Sequence, residues 1–241
     1  MIRKKVVANL EACRDLWDRV TVPRNVSDLW EFRACFQKHF RNQAHFVLLE
    51  DDQGLMGLLP LSYLEAGDRY VFFPGETWNG KTWLERTPLS MRDPEILGDL
   101  LDAAPERTYL RYLECEESSL IPHLDVDEIG YLFHPPEIGF DMKHYFQRFV
   151  WKKLKAIKKE IEAMLAPGFS WHVNCLTDFD VMVDMSLTSF GKSSYFHDSR
   201  FTEGFREVLR FLSRNGWLRM VSLDIGGKTV AVDMAALYRG T

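Results

Sequence analysis

Two stretches of the sequence have the pattern of a β-hairpin, and each follows a helical pattern, so the chain is limited to folds that combine helices with antiparallel strands. In the clearer stretch, residues 218–238, two apolar and largely β-branched runs flank Gly226-Gly227-Lys228. Glycine adopts positive φ without a Cβ clash, so this spacing predicts a tight turn. Residues 46–63 show the same order: an apolar residue, an acid, a glycine-containing turn, a small residue and a final apolar run. We interpret the two stretches as a weak internal repeat.

The elements around the hairpins are predicted from apolar periodicity and turn residues. Ser27 is expected to cap the second helix of the first half, and Pro60 is expected to place its strand at a sheet edge or a bulge. In the second half, one long helix is predicted from residue 144 to Leu165, with a buried apolar stripe. The predicted helices are 10–20, 27–40, 94–103, 118–124, 144–165, 179–190 and 201–215, and the further strands are 69–74, 109–115, 131–134 and 171–175. This order predicts an α/β (α+β) fold.

Composition excludes several classes of protein. The 241 residues carry a formal net charge of −5, which argues against a protein whose main partner is nucleic acid. The cysteines and histidines show neither a CxxC motif nor a metal-ligand spacing, so neither a disulfide framework nor a metal site is predicted. No apolar run reaches the roughly 20 residues of a bilayer helix, and no signal peptide is evident. A cytoplasmic location is therefore expected.

Two helix–helix–hairpin units joined by a basic helix resemble the double GNAT fold of Fem-type aminoacyl transferases and cellulose-biosynthesis-type acetyltransferases, which are bacterial-type proteins. The residues that carry this resemblance are WEFRACFQKHF leading into FVLLEDDQGLMGLLPL, then FVWKKLKAIKKEIE, FGKSSYFHDSRFTEGFREVL and LRMVSLDIGGKTVAVDMAAL. The resemblance implies two tandem GNAT-like domains, 1–140 and 141–241. Each would have a mixed, mostly antiparallel sheet flanked by helices.

The resemblance also implies an activity, which is the transfer of an acyl group to an amine or a similar acceptor. The donor would be acyl-CoA, or aminoacyl-tRNA in the Fem-type branch, and the acceptor would be a small molecule or one related to the cell envelope or a polysaccharide. No stretch matches the glycine-rich pyrophosphate loop of GNAT domains, so no cofactor-binding residues are assigned and the second domain is expected to be incomplete, as in a fragment. The alternative is a non-catalytic module that binds a polysaccharide or a protein. No DNA partner is expected, and tRNA is expected only with aminoacyl transfer.

Residues 190–200 hold the densest group of reactive side chains. His197 is a candidate general base with Asp198 to orient it, since acyl transfer to an amine requires loss of a proton. Substrate-binding roles are predicted for Lys192, Ser193, Tyr195 and Arg200. The alternative is a structural loop in which Asp198 or Ser199 caps the next helix.

Two further places are candidates. Asp233 lies inside an apolar strand and is a second catalytic candidate, although one solvated strand face would explain it equally well. Residues 75–86 combine polar groups with two tryptophans, which is typical of a binding surface, or of a loop that packs its tryptophans over the first domain. The predicted substrate-binding residues here are Glu76, Trp78, Asn79 and Lys81.

Overall fold

The computed structural model describes residues 2–77, 83–84, 87–114 and 134–239. The predicted helix 118–124 and most of the predicted strand 131–134 lie outside these residues. In the first 114 residues the strands are β1 (Arg3–Val7), β2 (Gln43–Asp51), β3 (Gly54–Leu64), β4 (Arg69–Phe72), β5 (Thr87–Pro88), β6 (Ser90–Met91), β7 (Thr108–Tyr109) and β8 (Leu113–Glu114), and the helices are α1 (Leu10–Val20), α2 (Trp30–Phe40) and α3 (Leu97–Asp102).

The first sheet is mostly antiparallel and has the order β1-β2-β3-β4-β7, with β6 also pairing with β3. The exception is β4, which pairs with β7 in parallel through Tyr70 opposite Thr108 and Val71 opposite Tyr109. The predicted strand 109–115 is therefore two short strands. Between them, Tyr112 has a φ of 53°, a left-handed conformation that interrupts an extended strand.

Helix α1 has the predicted bounds, whereas α2 begins three residues later than predicted. Residues 26–28 form a separate 3₁₀ turn, and the side chain of Asn25 caps it by accepting hydrogen bonds from both the backbone and the hydroxyl of Ser27. The prediction of Ser27 as a helix cap is therefore wrong. Asn25 is the cap instead, because its side-chain oxygen accepts hydrogen bonds within the first turn of the 3₁₀ segment.

The predicted first hairpin is confirmed as β2 and β3. Strand β3 lies inside the sheet, with β2 on one side and β4 and β6 on the other. Pro60 falls in the gap between residues 57–58, which pair with β6, and residues 61–64, which pair with β4. The Pro60 carbonyl accepts a hydrogen bond from the Phe73 N–H at 3.0 Å on that side. A residue without an N–H is therefore accommodated inside the sheet, which corrects the expectation of an edge strand.

The second half begins with α4 (Met142–Phe146) and α5 (Trp151–Leu165), so the predicted continuous helix is broken. The break is at Val150, whose ψ of 136° is extended. The predicted apolar stripe is not buried as a whole: Leu154 is buried, but Val150 is 76% exposed and Ile161 is also exposed. Burial depends on a partner surface, which apolar periodicity does not specify.

The remaining elements are β9 (Phe169–Val173), α6 (Asp178–Phe190), α7 (Ser199–Arg214), β10 (Leu218–Ile225) and β11 (Lys228–Ala236), and the three strands form an antiparallel sheet. Gly226 and Gly227 have φ values of 58° and 78° at the hairpin turn. The predicted tight turn is therefore confirmed. None of the helices within the described ranges has the length and apolar character needed to cross a bilayer.

The two sheets differ in how they are covered. Both faces of β2 and β3 are buried, one against α1 and α2 and the other against α3. In the second sheet, Leu218, Met220 and Ser222 of β10 are buried on the side of α6 and α7. The opposite face exposes apolar residues such as Trp171 and Val173 of β9. The predicted mixed fold of mainly antiparallel sheets flanked by helices is confirmed.

The halves meet where α2 packs on α7. Their shared aromatic cluster includes Phe36 of α2 and Phe201 of α7, whose ring centroids are 5.5 Å apart. Gly204 allows this approach, because a Cβ there would lie 2.8 Å from Cδ1 of Phe36. At the exposed margin, Lys38 Nζ lies 2.6 Å from Glu207 Oε1. The Arg200 guanidinium lies 4.6 Å from the ring centroid of Phe40 of α2, so the first half also lies next to residues 190–200.

Candidate functional site

A cleft opens at the parallel pair of the first sheet, where β4 and β7 separate after only two paired residues. Its volume is about 40 Å³, which admits a few water molecules or a small acyl or amine group. The lining residues are Val71, Phe72, Gly75, Glu76, Thr87, Tyr109 and Arg111.

The chain turns away from the sheet directly after β4, and this turn brings Glu76 into the cleft. Gly75 has a φ of 108°, and a Cβ at this position would lie 2.2 Å from Nδ2 of Asn42. Only glycine fits this combination of backbone angle and close approach. Glu76 is paired with Arg69 of β4, and its side chain is 16% exposed. One side of the Glu76 carboxylate is thus held by a guanidinium, inside a cleft open to small ligands.

Part of the predicted binding segment 75–86 continues from the cleft into the aromatic cluster between the halves. The Trp83 ring lies 5.0 Å from Phe205 and 6.0 Å from Phe201, both of α7, measured between ring centroids. Leu84 is buried beside it. The predicted residues Trp78, Asn79 and Lys81 lie outside the described residues. The Trp83 ring also lies 5.7 Å from that of Phe36 of α2. Trp83 therefore connects the segment to both halves rather than covering the first half alone.

The predicted loop 190–200 forms two 3₁₀ turns between α6 and α7. Ser194 is buried and its hydroxyl lies 2.8 Å from that of Ser186, so the loop is anchored to α6. Lys192, Ser193 and His197 are exposed. Tyr195 is half-buried and stacks on Phe201, with ring centroids 5.5 Å apart. The loop thus presents three polar side chains to solvent and buries part of its aromatic one.

Asp198 and Arg200 interact with each other at the start of α7. The Asp198 carboxylate accepts a backbone hydrogen bond from Arg200 at 2.9 Å and a guanidinium hydrogen bond from the same residue at 2.7 Å. These hydrogen bonds from Arg200 lower the pKa of Asp198. The Arg200 guanidinium also lies 4.6 Å from the ring centroid of Phe40. Asp198 therefore caps α7, the structural role considered for it from the sequence.

Phe201 links the two predicted segments, because Trp83 of the first and Tyr195 of the second both contact its ring.

Asp233 lies away from these two segments. It is exposed, and its neighbours Val232 and Met234 point into the cluster under α6 and α7. Since side chains alternate along a strand, Asp233 projects from the opposite face of the sheet. His197, on the helix side, and Asp233 are therefore not brought together.

The cleft contains residues that the sequence analysis did not single out, namely Thr87, Tyr109 and Arg111. Thr87 donates a hydrogen bond from Oγ1 to the Arg111 carbonyl at 2.6 Å, which ties the two walls of the cleft together. Their approach depends on the parallel pairing of β5 with β8 and of β4 with β7. No local sequence signal specifies that pairing, since Tyr109 and Arg111 fall inside the predicted strand 109–115.

Comparison with known proteins adds one finding. Residues 152–241 match the family model of the acetyltransferase (GNAT) domain. This match supports a relationship of the second half to the GNAT superfamily, and it supports acyl transfer as the general chemistry. No curated protein matches the chain.

Proposed function

We propose that this protein is an N-acyltransferase that transfers an acyl group from acyl-CoA to an amine bound in the cleft beside Glu76. The observation that carries the proposal is the convergence at Phe201. There, the segment leaving the cleft contacts the helix that follows the loop 190–200 of the GNAT-matched half. An acceptor in the cleft and a donor on the matched half would then share the boundary between the halves.

Glu76 is proposed to bind the acceptor. A carboxylate accepts hydrogen bonds from an ammonium group, and Arg69 holds the orientation of this one. Tyr109 and Phe72 add apolar surface to the cleft. The site therefore suits a small primary amine with an apolar stem, or an amino group presented on a larger envelope-related or polysaccharide-related acceptor.

His197 is proposed as the general base. The imidazole takes a proton from the ammonium group, and the free amine nitrogen attacks the thioester carbonyl carbon. The C–N bond forms, the tetrahedral oxyanion collapses, the C–S bond breaks, and the CoA thiolate leaves and takes up the proton that the new amide nitrogen loses. A backbone N–H would stabilise the oxyanion. With aminoacyl-tRNA as the donor, the same steps would break an ester C–O bond.

The test measures thiol release from acetyl-CoA and longer acyl-CoA donors with a panel of primary amines. We expect turnover that depends on the amine, and Glu76→Gln should raise KM for the amine by about tenfold, since it loses one charge-assisted hydrogen bond of roughly 1.5 kcal/mol. Glu106→Gln, an exposed glutamate outside the cleft, is the matched control. Unchanged kinetics in Glu76→Gln would refute the acceptor site.

The role of the base is tested separately. His197→Gln should lower kcat by about a hundredfold or more, because general-base catalysis contributes on the order of 10²–10⁴. His134→Gln, also exposed, should retain wild-type kcat. If the protein binds amino sugars or a protein partner but no acyl-CoA or aminoacyl-tRNA donor supports turnover, the enzyme proposal fails and the non-catalytic module is supported.

A further inference from the structure

Three potential metal ligands converge where β9 passes into α6. His172 lies near the end of β9, Cys175 lies in the connecting turn, and Asp178 is the first residue of α6. One ligand atom from each side chain lies within 4.8 Å of the other two. No metal was predicted from the sequence, because the cysteines lack a CxxC spacing and His172 is one of several scattered histidines.

The turn that joins these residues is held by the sheet. Asn174 has a φ of 56°. Its backbone N–H donates to the Met220 carbonyl at 2.8 Å, and its side-chain oxygen accepts from the Met220 N–H at 3.0 Å. The Asp178 N–H donates to the Cys175 carbonyl at 3.0 Å. The positions of Cys175 and Asp178 relative to β9 are therefore determined by backbone hydrogen bonds.

Each of the three side chains also has a second polar partner. His172 Nε2 lies 2.6 Å from Asp178 Oδ2, and its other nitrogen, Nδ1, lies 3.5 Å from Asp224 Oδ2. Asp224 itself accepts a hydrogen bond from Thr229 Oγ1 at 2.7 Å. A carboxylate on the far nitrogen of a histidine is the usual outer partner of a metal-binding imidazole, because it orients the ring and makes it a better ligand.

The other two side chains are oriented in the same way. The Ser222 hydroxyl donates to Asp178 Oδ2, and Thr177 Oγ1 lies 3.0 Å from Cys175 Sγ. Asp178 is 10% exposed and His172 is 39% exposed, both measured for the side chains. Ser222 and Thr177 thus hold the carboxylate of Asp178 and the thiol of Cys175 in place, while the His172 side chain is partly exposed to solvent.

We propose that His172, Cys175 and Asp178 form a binding site for a borderline divalent transition-metal ion of the Zn²⁺ type. The mixture of imidazole nitrogen, thiolate and carboxylate oxygen is the donor set that zinc accepts, whereas Mg²⁺ and Ca²⁺ require more oxygen ligands. Three protein ligands leave a fourth position for water or another ligand.

Metal binding changes the cluster in a defined way. The ion replaces the hydrogen bond between His172 and Asp178, the Cys175 thiol loses its proton to solvent, and the neutral imidazole keeps its Nδ1 proton facing Asp224. Metal affinity should therefore fall as the pH is lowered, because protons compete for the thiolate and the imidazole. The site is independent of the proposed acyltransferase activity.

The experiment uses the full chain after treatment with EDTA and desalting. ZnCl₂ is titrated by calorimetry, and Co²⁺ is titrated by absorption, where a thiolate ligand gives a near-ultraviolet charge-transfer band. We expect one ion per chain. Cys175→Ser should abolish the cobalt band and weaken Zn²⁺ binding by at least about tenfold. Cys115→Ser and Asp180→Asn are the matched controls for the thiol and the carboxylate, and both should keep the band and the affinity.

Two further variants keep the test decisive. Asp224→Asn should weaken Zn²⁺ binding by about tenfold and retain the cobalt band, because the first three ligands remain. Asp178→Asn should also weaken binding, provided that circular dichroism shows a folded protein. If it does not fold, Cys175→Ser alone decides the question. Absence of stoichiometric binding to the wild-type chain, or equal affinity in Cys175→Ser, would overturn the proposal.

Discussion

Gly204 offers a sharp test of how the two halves are joined. It lies on α7 where this helix crosses α2, and the ring of Phe36 that faces it is fully buried. A Cβ at this position would meet Cδ1 of Phe36 at 2.8 Å and the Cys35 carbonyl oxygen at 3.3 Å. A buried ring and a backbone carbonyl cannot easily move aside, so Gly204→Ala should push the helices apart.

The expected magnitude combines two opposing effects. Alanine in a helix is favoured over glycine by about 0.8–1 kcal/mol, while overpacking a well-packed core costs about 1–3 kcal/mol. Gly204→Ala should therefore lower the free energy of unfolding by about 1 kcal/mol. For a chain of this size that corresponds to a fall in Tm of about 2–4 °C.

Gly98 on α3 provides the matched control, because a Cβ there meets no atom within 4 Å. Gly98→Ala should raise the free energy of unfolding by about 0.5 kcal/mol, since it lowers the entropy of the unfolded chain without a clash. Both variants are compared with wild type by urea denaturation and thermal unfolding. If Gly204→Ala is as stable as Gly98→Ala, the close approach of α2 and α7 is refuted.

Two further predictions concern charge and thiol reactivity. The hydrogen bond from Lys38 lowers the pKa of Glu207. The Lys38–Glu207 pair therefore stabilises the folded protein above about pH 4.3, and this stabilisation is lost as the pH falls. Glu207→Gln should therefore be less stable than wild type by about 0.5 kcal/mol at pH 7. In urea denaturation this difference should shrink as the pH falls below about 4.3 and vanish once the pH lies below the lowered pKa of Glu207. Burial raises the pKa of Cys13 to about 12 and that of Cys35 to about 11, whereas Cys175 is half-buried. Of these three, Cys175 should be alkylated first, as peptide mass spectrometry would show, and equal labelling would contradict the burial.

Several features of the fold follow from local sequence. The hairpin β10–β11 was predicted because Gly226-Gly227 permits a turn that few other pairs allow, and α7 was predicted from a strong apolar periodicity. The helix break at Val150 was not predicted, since residues 144–165 read as one continuous periodic pattern. The start of α2 was misplaced, because Asn25 and Ser27 are both good caps and only the surrounding structure selects between them.

The candidate site was harder to predict from the sequence than the fold. Glu76, His197 and the segments that hold them were singled out, because unusual polar residues in loops are local signals. Arg111 and Tyr109 were missed, since they line the cleft only through strand pairing. His172 was set aside as an isolated histidine, and its contact with Asp178 depends on the turn at Asn174.

The sequence by itself determined the longer helices α1, α6 and α7 and the two hairpins, because these follow from periodicity and backbone preferences over a few residues, whereas β1, β5 and β6 were not predicted. The tertiary structure alone decided which of these elements lie together. It placed β7 parallel to β4 and so opened a cleft beside Glu76. It packed α2 on α7, and it brought Asp224 within reach of the His172 ring. Contacts of this kind depend on the pairing of strands and on close packing between helices far apart in the chain, for which no single stretch of sequence carries a signal.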